Sequence, residues 1–221
     1  MSTLAQQIED FKLQSRAKMD TNTKNTMQSV TQGLIDSKLR DKALKVGDRI
    51  TPFSLLNASS NIIHIEDIID NNKYTILNFY RGSWCPYCNL ELKALQKIQP
   101  ELKILHTELV ALSPQTPDNA MLAKDKDELT FEVLCDKNNT IGRKMGIVYE
   151  LPTALRPVYE ELGIDLLEVN KNGTFEIPLA ATFVINSNYE IIYTFVDEDH
   201  TKRLEPRDIL MAIKKDIINS H

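Results

Sequence analysis

The chain has 221 residues, which suits one large domain or one domain with an extension. With 26 Lys and Arg against 31 Asp and Glu the net charge is −5, which argues against a nucleic-acid-binding surface. A hydrophobic fraction of 42% is enough for a buried core and argues against disorder, and no apolar run is long enough to span a membrane.

Residues 1–45 lack proline and place Leu4, Ile8 and Phe11, then Met27, Val30 and Leu34, at helical spacing. The polar run Asp20-Thr21-Asn22-Thr23 between them marks a helix break and a new N-cap, so two amphipathic helices are expected. Two readings of this extension stay open: it packs on its own domain, or it is a dimerisation arm of a homodimer. Glu9 and Asp10 stand where a signal peptide would need an apolar stretch, so a cytoplasmic location is expected.

Lys45-Val46-Gly47-Asp48 marks the boundary of the second region, residues 46–221. Thr75 to Tyr80 reads as a buried strand, Asn89 to Ile98 as a helix burying Leu92, Leu95 and Ile98, and Leu109 to Leu112 as a second strand. Pro117 opens another helix with Thr116 as its cap, and Phe131 to Leu134 is a short third strand. Thr182 to Ile185 and Glu190 to Val196 form a hairpin around Asn186-Ser187-Asn188. Pro206 opens a last helix with Ile209, Ile213 and Ile217 along one face. This order predicts an α/β fold, a mixed sheet with helices on its faces. Residues 149–178 interrupt it as a rim insertion, where Asn172-Gly173 signals a hairpin between Leu166–Asn170 and Thr174–Ile177.

Of three cysteines, Cys85 and Cys88 lie three apart in Tyr80-Arg81-Gly82-Ser83-Trp84-Cys85-Pro86-Tyr87-Cys88. At a helix start that spacing puts their α-carbons about one turn apart, inside the roughly 4.4–6.8 Å a disulfide needs. The helix N-terminus favours a thiolate, which is the nucleophilic form. Pro86 rigidifies the first turn and Trp84 shields one side. Glu91, one turn on, is either a proton relay for the thiols or a partner of the helix dipole. Arg81 either stabilises a thiolate or is a solvated loop residue. A redox dithiol therefore outweighs the zinc reading, for which Cys135, His64, His106 and His200 are single, scattered ligands. No metal or other cofactor is expected. Cys135 ends a strand and either packs as a small hydrophobe or serves as a resolving thiol, and His200 lies in a charged run that is either a solvated loop or, following a core strand, approaches the site.

From about Lys45 to Ile217 the sequence resembles the alkyl hydroperoxide reductase/thiol-specific antioxidant family, the peroxiredoxin-like branch of the thioredoxin superfamily. The resemblance rests on Val46-Gly47-Asp48 with Pro52-Phe53, on the Phe79 to Cys88 segment, and on Ala181-Thr182-Phe183-Val184-Ile185-Asn186. It implies a thioredoxin-like fold with the N-terminal helices as an extension, and thiol-based reduction of a peroxide or disulfide substrate. An external dithiol reductant such as thioredoxin or glutaredoxin/glutathione would reset the pair.

On the peroxiredoxin alignment Cys88 is the attacking cysteine, Cys85 replaces the usual threonine, Arg81 the usual proline, and Glu91 fits the acid. The family's arginine before the Thr182 strand is replaced by Ala180, leaving Arg203 or Arg81 to substitute. On the thioredoxin-like alignment Cys85 attacks and Cys88 resolves, and Ala180 stands in the place of the cis-proline. Both cysteines are candidate catalytic residues. A thiol–disulfide oxidoreductase and a non-catalytic thioredoxin-fold binding protein are the alternative readings.

Overall fold

The computed structural model describes residues 2–219. Helices α1 (Leu4–Lys18) and α2 (Thr21–Asp36) open the chain. Thr3 caps α1 by accepting the Gln6 N–H at 3.2 Å, and Asp20 caps α2 by accepting that of Thr23 at 3.0 Å. Strands β1 (Ser54–Asn57) and β2 (Ile62–His64) and the short α3 (Ile65–Asp70) follow. Next come β3 (Tyr74–Phe79), α4 (Pro86–Lys97), α5 (Gln99–Ile104), β4 (Thr107–Ser113), α6 (Pro117–Lys126), β5 (Glu132–Cys135) and α7 (Thr140–Lys144). The rim segment holds β6 (Val148–Glu150), α8 (Arg156–Glu161), α9 (Leu166–Asn170) and β7 (Glu176–Pro178). Strands β8 (Ala180–Asn186) and β9 (Ile191–Asp197) and helix α10 (Pro206–Asn219) complete the fold.

Seven strands form one mixed sheet in the order β2-β1-β5-β4-β3-β8-β9, with β3, β4 and β5 parallel and the other pairings antiparallel. Strand β3 lies inside the sheet and every residue of it is buried, because helices cover both faces. Its side chains alternate between two cores. Ile76 joins Leu92, Leu95, Ile209, Ile213 and both cysteines of the pair on one side. Leu77 and Phe79 join Ile65, Val110 and Phe183 on the other. The end of β3 therefore delivers the cysteine loop to the edge of a fully packed core.

Two local expectations need correction. Asn172-Gly173 does turn, with Gly173 at φ +71°, but it does not join two paired strands. Leu166–Asn170 is helix α9, capped by Asp165 on the Glu168 N–H, and its Leu166 packs into a small core with Leu155, Tyr159 and Ile177. Strand β7 pairs instead with β6, placing Tyr149 opposite Ile177. Thr116 holds the cap position of α6, but its side chain makes no capping hydrogen bond.

The N-terminal helices lie on the same chain's domain. Leu4 and Ile8 are buried, and the Phe11 ring meets the edge of Tyr87 on α4 at 5.3 Å. Met27 and Val30 of α2 pack beside Trp84 on the rim core. The Glu205 carboxylate, just before α10, accepts the Leu4 and Ala5 N–H groups at 3.3 and 2.6 Å and so holds the start of α1. Replacing Glu205 with Ala is expected to remove about 0.5–2 kcal/mol from the docking of that first turn. Hydrogen exchange should show faster Leu4 and Ala5 amides with β3 amides unchanged.

Candidate active site

The cysteine loop is built from the sheet outward. After β3, the Tyr80 N–H still bonds the Leu112 carbonyl at 2.9 Å, so the chain leaves the sheet only at Arg81. Gly82 then adopts φ +147°, and a Cβ there would stand 2.3 Å from the Trp84 indole nitrogen. Only glycine permits both that backbone and that close approach. The turn is clamped through Ser83, whose N–H donates to Gln115 Oε1 at 2.7 Å while Asn89 Nδ2 donates to its carbonyl at 2.9 Å.

Cys85 occupies the N-cap of α4, Pro86 the first helical position and Cys88 the first turn. The two cysteines are not joined by a disulfide and are buried, at 1% and 0% exposure. Arginines flank them. Arg81 Nη1 stands 3.9 Å from Cys85 Sγ, and Arg203 Nη2 3.3 Å from Cys88 Sγ. Arg81 is not the solvated loop residue that its position in a turn suggests. It is buried, donates to the Tyr159 hydroxyl, and lies over the rings of Trp84 at 5.0 Å and Tyr159 at 5.8 Å. The charged run before Arg203 is also less solvated than its composition suggests. Asp197 and Glu198 are buried, and His200 packs edge-on against Tyr87 at 5.5 Å.

Glu91 is buried as well, and its carboxylate lies 3.4 Å from Arg203 Nε. Desolvation raises its pKa to about 7, against the opposing pull of Arg203 and of a hydrogen bond from Asn78. Asn78 in turn donates to the Thr182 hydroxyl at 3.1 Å, which links Thr182 to the site. The two sulfurs are electrostatically unequal. Burial opposes a thiolate at both. At Cys85 a hydrogen bond from Cys88 and the charges of Arg81 and Arg203 overcome burial and carry the thiol well below its ordinary range. Cys88 is pushed well above, by burial and by the Cys85 thiolate beside it. Cys135 sits in the same core, and burial lifts its thiol to about 12, so it stays protonated.

Ala180 opens β8 on the face it shares with Thr182 and Val184, and Val184 belongs to the core that holds the cysteines. An arginine does reach the pair, but from the loop after β9 rather than from this strand. Asn78, Gln115, Tyr159 and Tyr149, which accepts a hydrogen bond from Arg81, are site residues without a motif in the sequence. Asn78 carried a usable signal, as a polar residue inside an otherwise apolar buried strand. Among the described residues no three His, Cys, Asp or Glu side chains converge to hold a metal ion, and no helix is long and apolar enough to cross a membrane.

A mixed sheet whose central strand feeds a Cys-X-X-Cys pair at a helix N-terminus defines a dithiol protein of the thioredoxin fold. The AhpC/TSA family model matches residues 46–194, and the chain belongs to that family. It is 24% identical over 153 residues to a putative peroxiredoxin bcp of Haemophilus influenzae, covering 69% of this chain and 96% of that protein. It is 27% identical over 116 residues to the thiol-disulfide oxidoreductase ResA of Bacillus thuringiensis, covering 52% of this chain and 65% of that protein. The fold is similar to peroxidoxin BcpB of Mycobacterium tuberculosis, with TM-score 0.62, 15% identity, 78% of this chain and 97% of that one. It is similar also to AhpC of Enterococcus faecalis, with TM-score 0.61, 16% identity, 80% of this chain and 95% of that one.

Replacing Gly82 with Ala forces the Trp84 indole off Arg81 and strains the backbone. The expected cost is about 1–3 kcal/mol in urea denaturation. The Cys85 pKa, followed by thiolate absorbance, should rise as Arg81 loses its support.

Proposed function

We propose that the protein is a thiol-dependent peroxide reductase in which Cys85 is the attacking thiolate and Cys88 the resolving thiol. The observation that carries this reading is the pair of buried arginines at the two sulfurs. They favour a thiolate in a site closed to bulk water, and Arg81 Nε and Arg203 Nη1 have no hydrogen-bond acceptor among the described residues. Such donors suit the negative charge that develops on a peroxide's leaving oxygen.

The Cys85 thiolate attacks one oxygen of the peroxide, the O–O bond breaks, and the other oxygen leaves as an alcohol or water after taking a proton. Cys85 becomes a sulfenic acid. Cys88 loses its proton and attacks that sulfur, forming the disulfide and expelling water. Glu91, titrating near neutral pH and paired with the Arg203 that reaches Cys88, is the group suited to move these protons. An external thiol reductant then returns the pair to the dithiol. The cytoplasmic setting expected from the sequence suits a cycle that ends in free thiols.

The assignment favours the thioredoxin-like order of the two cysteines over the peroxiredoxin alignment, because Cys85 holds the N-cap of α4 and accepts a hydrogen bond from Cys88. The same asymmetry supports the second reading, exchange with disulfide substrates. Stopped-flow consumption of hydrogen peroxide by the reduced protein separates the two. A rate at least about a hundredfold above that of a free thiol is expected, and a rate equal to it would favour disulfide exchange. Cys85→Ser should abolish the reaction. Cys88→Ser should complete one turnover and stop at a sulfenic acid that a dimedone adduct reveals by mass spectrometry.

A raised carboxyl pKa holds its proton to higher pH and gives it up as pH rises through that value. The peroxide step should therefore slow with a midpoint near pH 7 if Glu91 protonates the leaving oxygen. Glu91→Gln should remove that inflection and lower the rate about tenfold or more.

A further inference from the structure

The N-terminal helices do more than cover α4. With it they wall a cleft of about 260 Å³ whose lining includes Lys12 and Arg16 of α1, Lys24 and Met27 of α2, Tyr87 of α4 and His200 of the loop after β9. Three cations meet here in a chain of net charge −5. Among the described residues none of the three takes part in an ion pair. The one acid in the wall, Asp199, already accepts the Thr201 N–H and hydroxyl at 3.0 and 2.8 Å. Unpaired cations around a concavity suit carboxylates, and the neighbouring Met19, Met27 and Ile35 suit a carbon skeleton.

The cleft adjoins the turn that carries the dithiol, through its lining residue Tyr87. Tyr87 lies between the two cysteines in sequence, and the Tyr87 ring is held between Phe11 at 5.3 Å and His200 at 5.5 Å. The His200 ring makes no hydrogen bond to the described protein. Burial and the nearby Arg81, Arg203 and Lys12 keep it neutral, so it carries one N–H donor and one acceptor nitrogen. Both sulfurs are buried, so a reductant small enough to enter the fold beside Tyr87 suits this site better than the surface cysteine of a folded protein.

We propose that this cleft binds a small thiol bearing carboxylates, and that this thiol is the reductant of the Cys85–Cys88 disulfide. The proposal rests on the dithiol cycle of the preceding section. One bound thiolate attacks Cys85 Sγ, the protein S–S bond breaks, and Cys88 leaves and takes up a proton. A second thiolate attacks the reductant's sulfur in the mixed disulfide and releases the Cys85 thiolate. Two small thiols are oxidised to one disulfide, and one protein disulfide is reduced. The carboxylates sit on Lys12, Arg16 and Lys24 throughout.

The test uses the full chain and two reductants, glutathione, which carries two carboxylates, and uncharged dithiothreitol. Hydrogen peroxide turnover gives kcat/KM for each. In Lys12→Glu/Arg16→Glu the ratio of the glutathione value to the dithiothreitol value should fall about tenfold, and in the wild type salt should lower the glutathione value more than the other. An unchanged ratio overturns the proposal. So does a variant that discriminates instead between a carboxylate-bearing hydroperoxide and hydrogen peroxide, with dithiothreitol as reductant, since the cleft would then serve the oxidant. If neither reductant supports turnover, the peroxide-reductase reading fails by itself. Calorimetry with unreactive S-methylglutathione then decides the cleft, with binding lost in the double variant supporting it and no binding to the wild type overturning it.

Discussion

Two guanidinium groups sealed from water set the terms for the rest of the site. Placing such charges in a packed core is costly unless opposite charge and hydrogen bonds meet them there. Arg203 is met by Cys88 and Glu91. Arg81 is met by Cys85, the Tyr159 hydroxyl and two aromatic faces. Removing either arginine would leave its partners buried without compensation. The reduced pair is therefore not two independent thiols on a helix. It is one negative charge shared among fixed cations, and it settles on Cys85 because Cys88 donates to it.

The helix N-terminus acts on the pair through the Cys88 N–H, which lowers the Cys85 pKa together with the arginines. Both sulfurs belong to the same first turn, yet they shift in opposite directions. A helix dipole acting alone would favour the thiolate at both. The hydrogen bond between the two sulfurs makes the difference, since Arg81 and Arg203 favour the thiolate at both.

The scaffold was legible because it depends on local pattern. An apolar run gave β3, a Pro-led helix gave α4, and alternating residues around Asn186 gave the β8–β9 hairpin. The cysteine pair was legible because its spacing is itself a chemical constraint. The arginines were harder to read. Arg81 sits in a turn and Arg203 in a charged run, and both local contexts read as solvent. Their burial follows from contacts across the fold, Arg203 reaching Cys88 across 115 positions of sequence. The segment around Asn172-Gly173 misled for a related reason. Its turn signal was sound, but Leu166 had a core to fill with Ile177, and packing overrode the pairing that the turn alone implied.

Gly82 and Trp84 carry a consequence for how this protein can be observed. The chain holds a single tryptophan, and it lies against Arg81 and the Tyr159 ring one residue before Cys85. Its indole sits in the electric field that changes when the Cys85 thiolate is consumed. The glycine that lets the indole close over the arginine thus also gives the molecule a built-in optical probe. In the proposed cycle, intrinsic fluorescence would report oxidation and re-reduction of the pair in the unlabelled, unmutated protein.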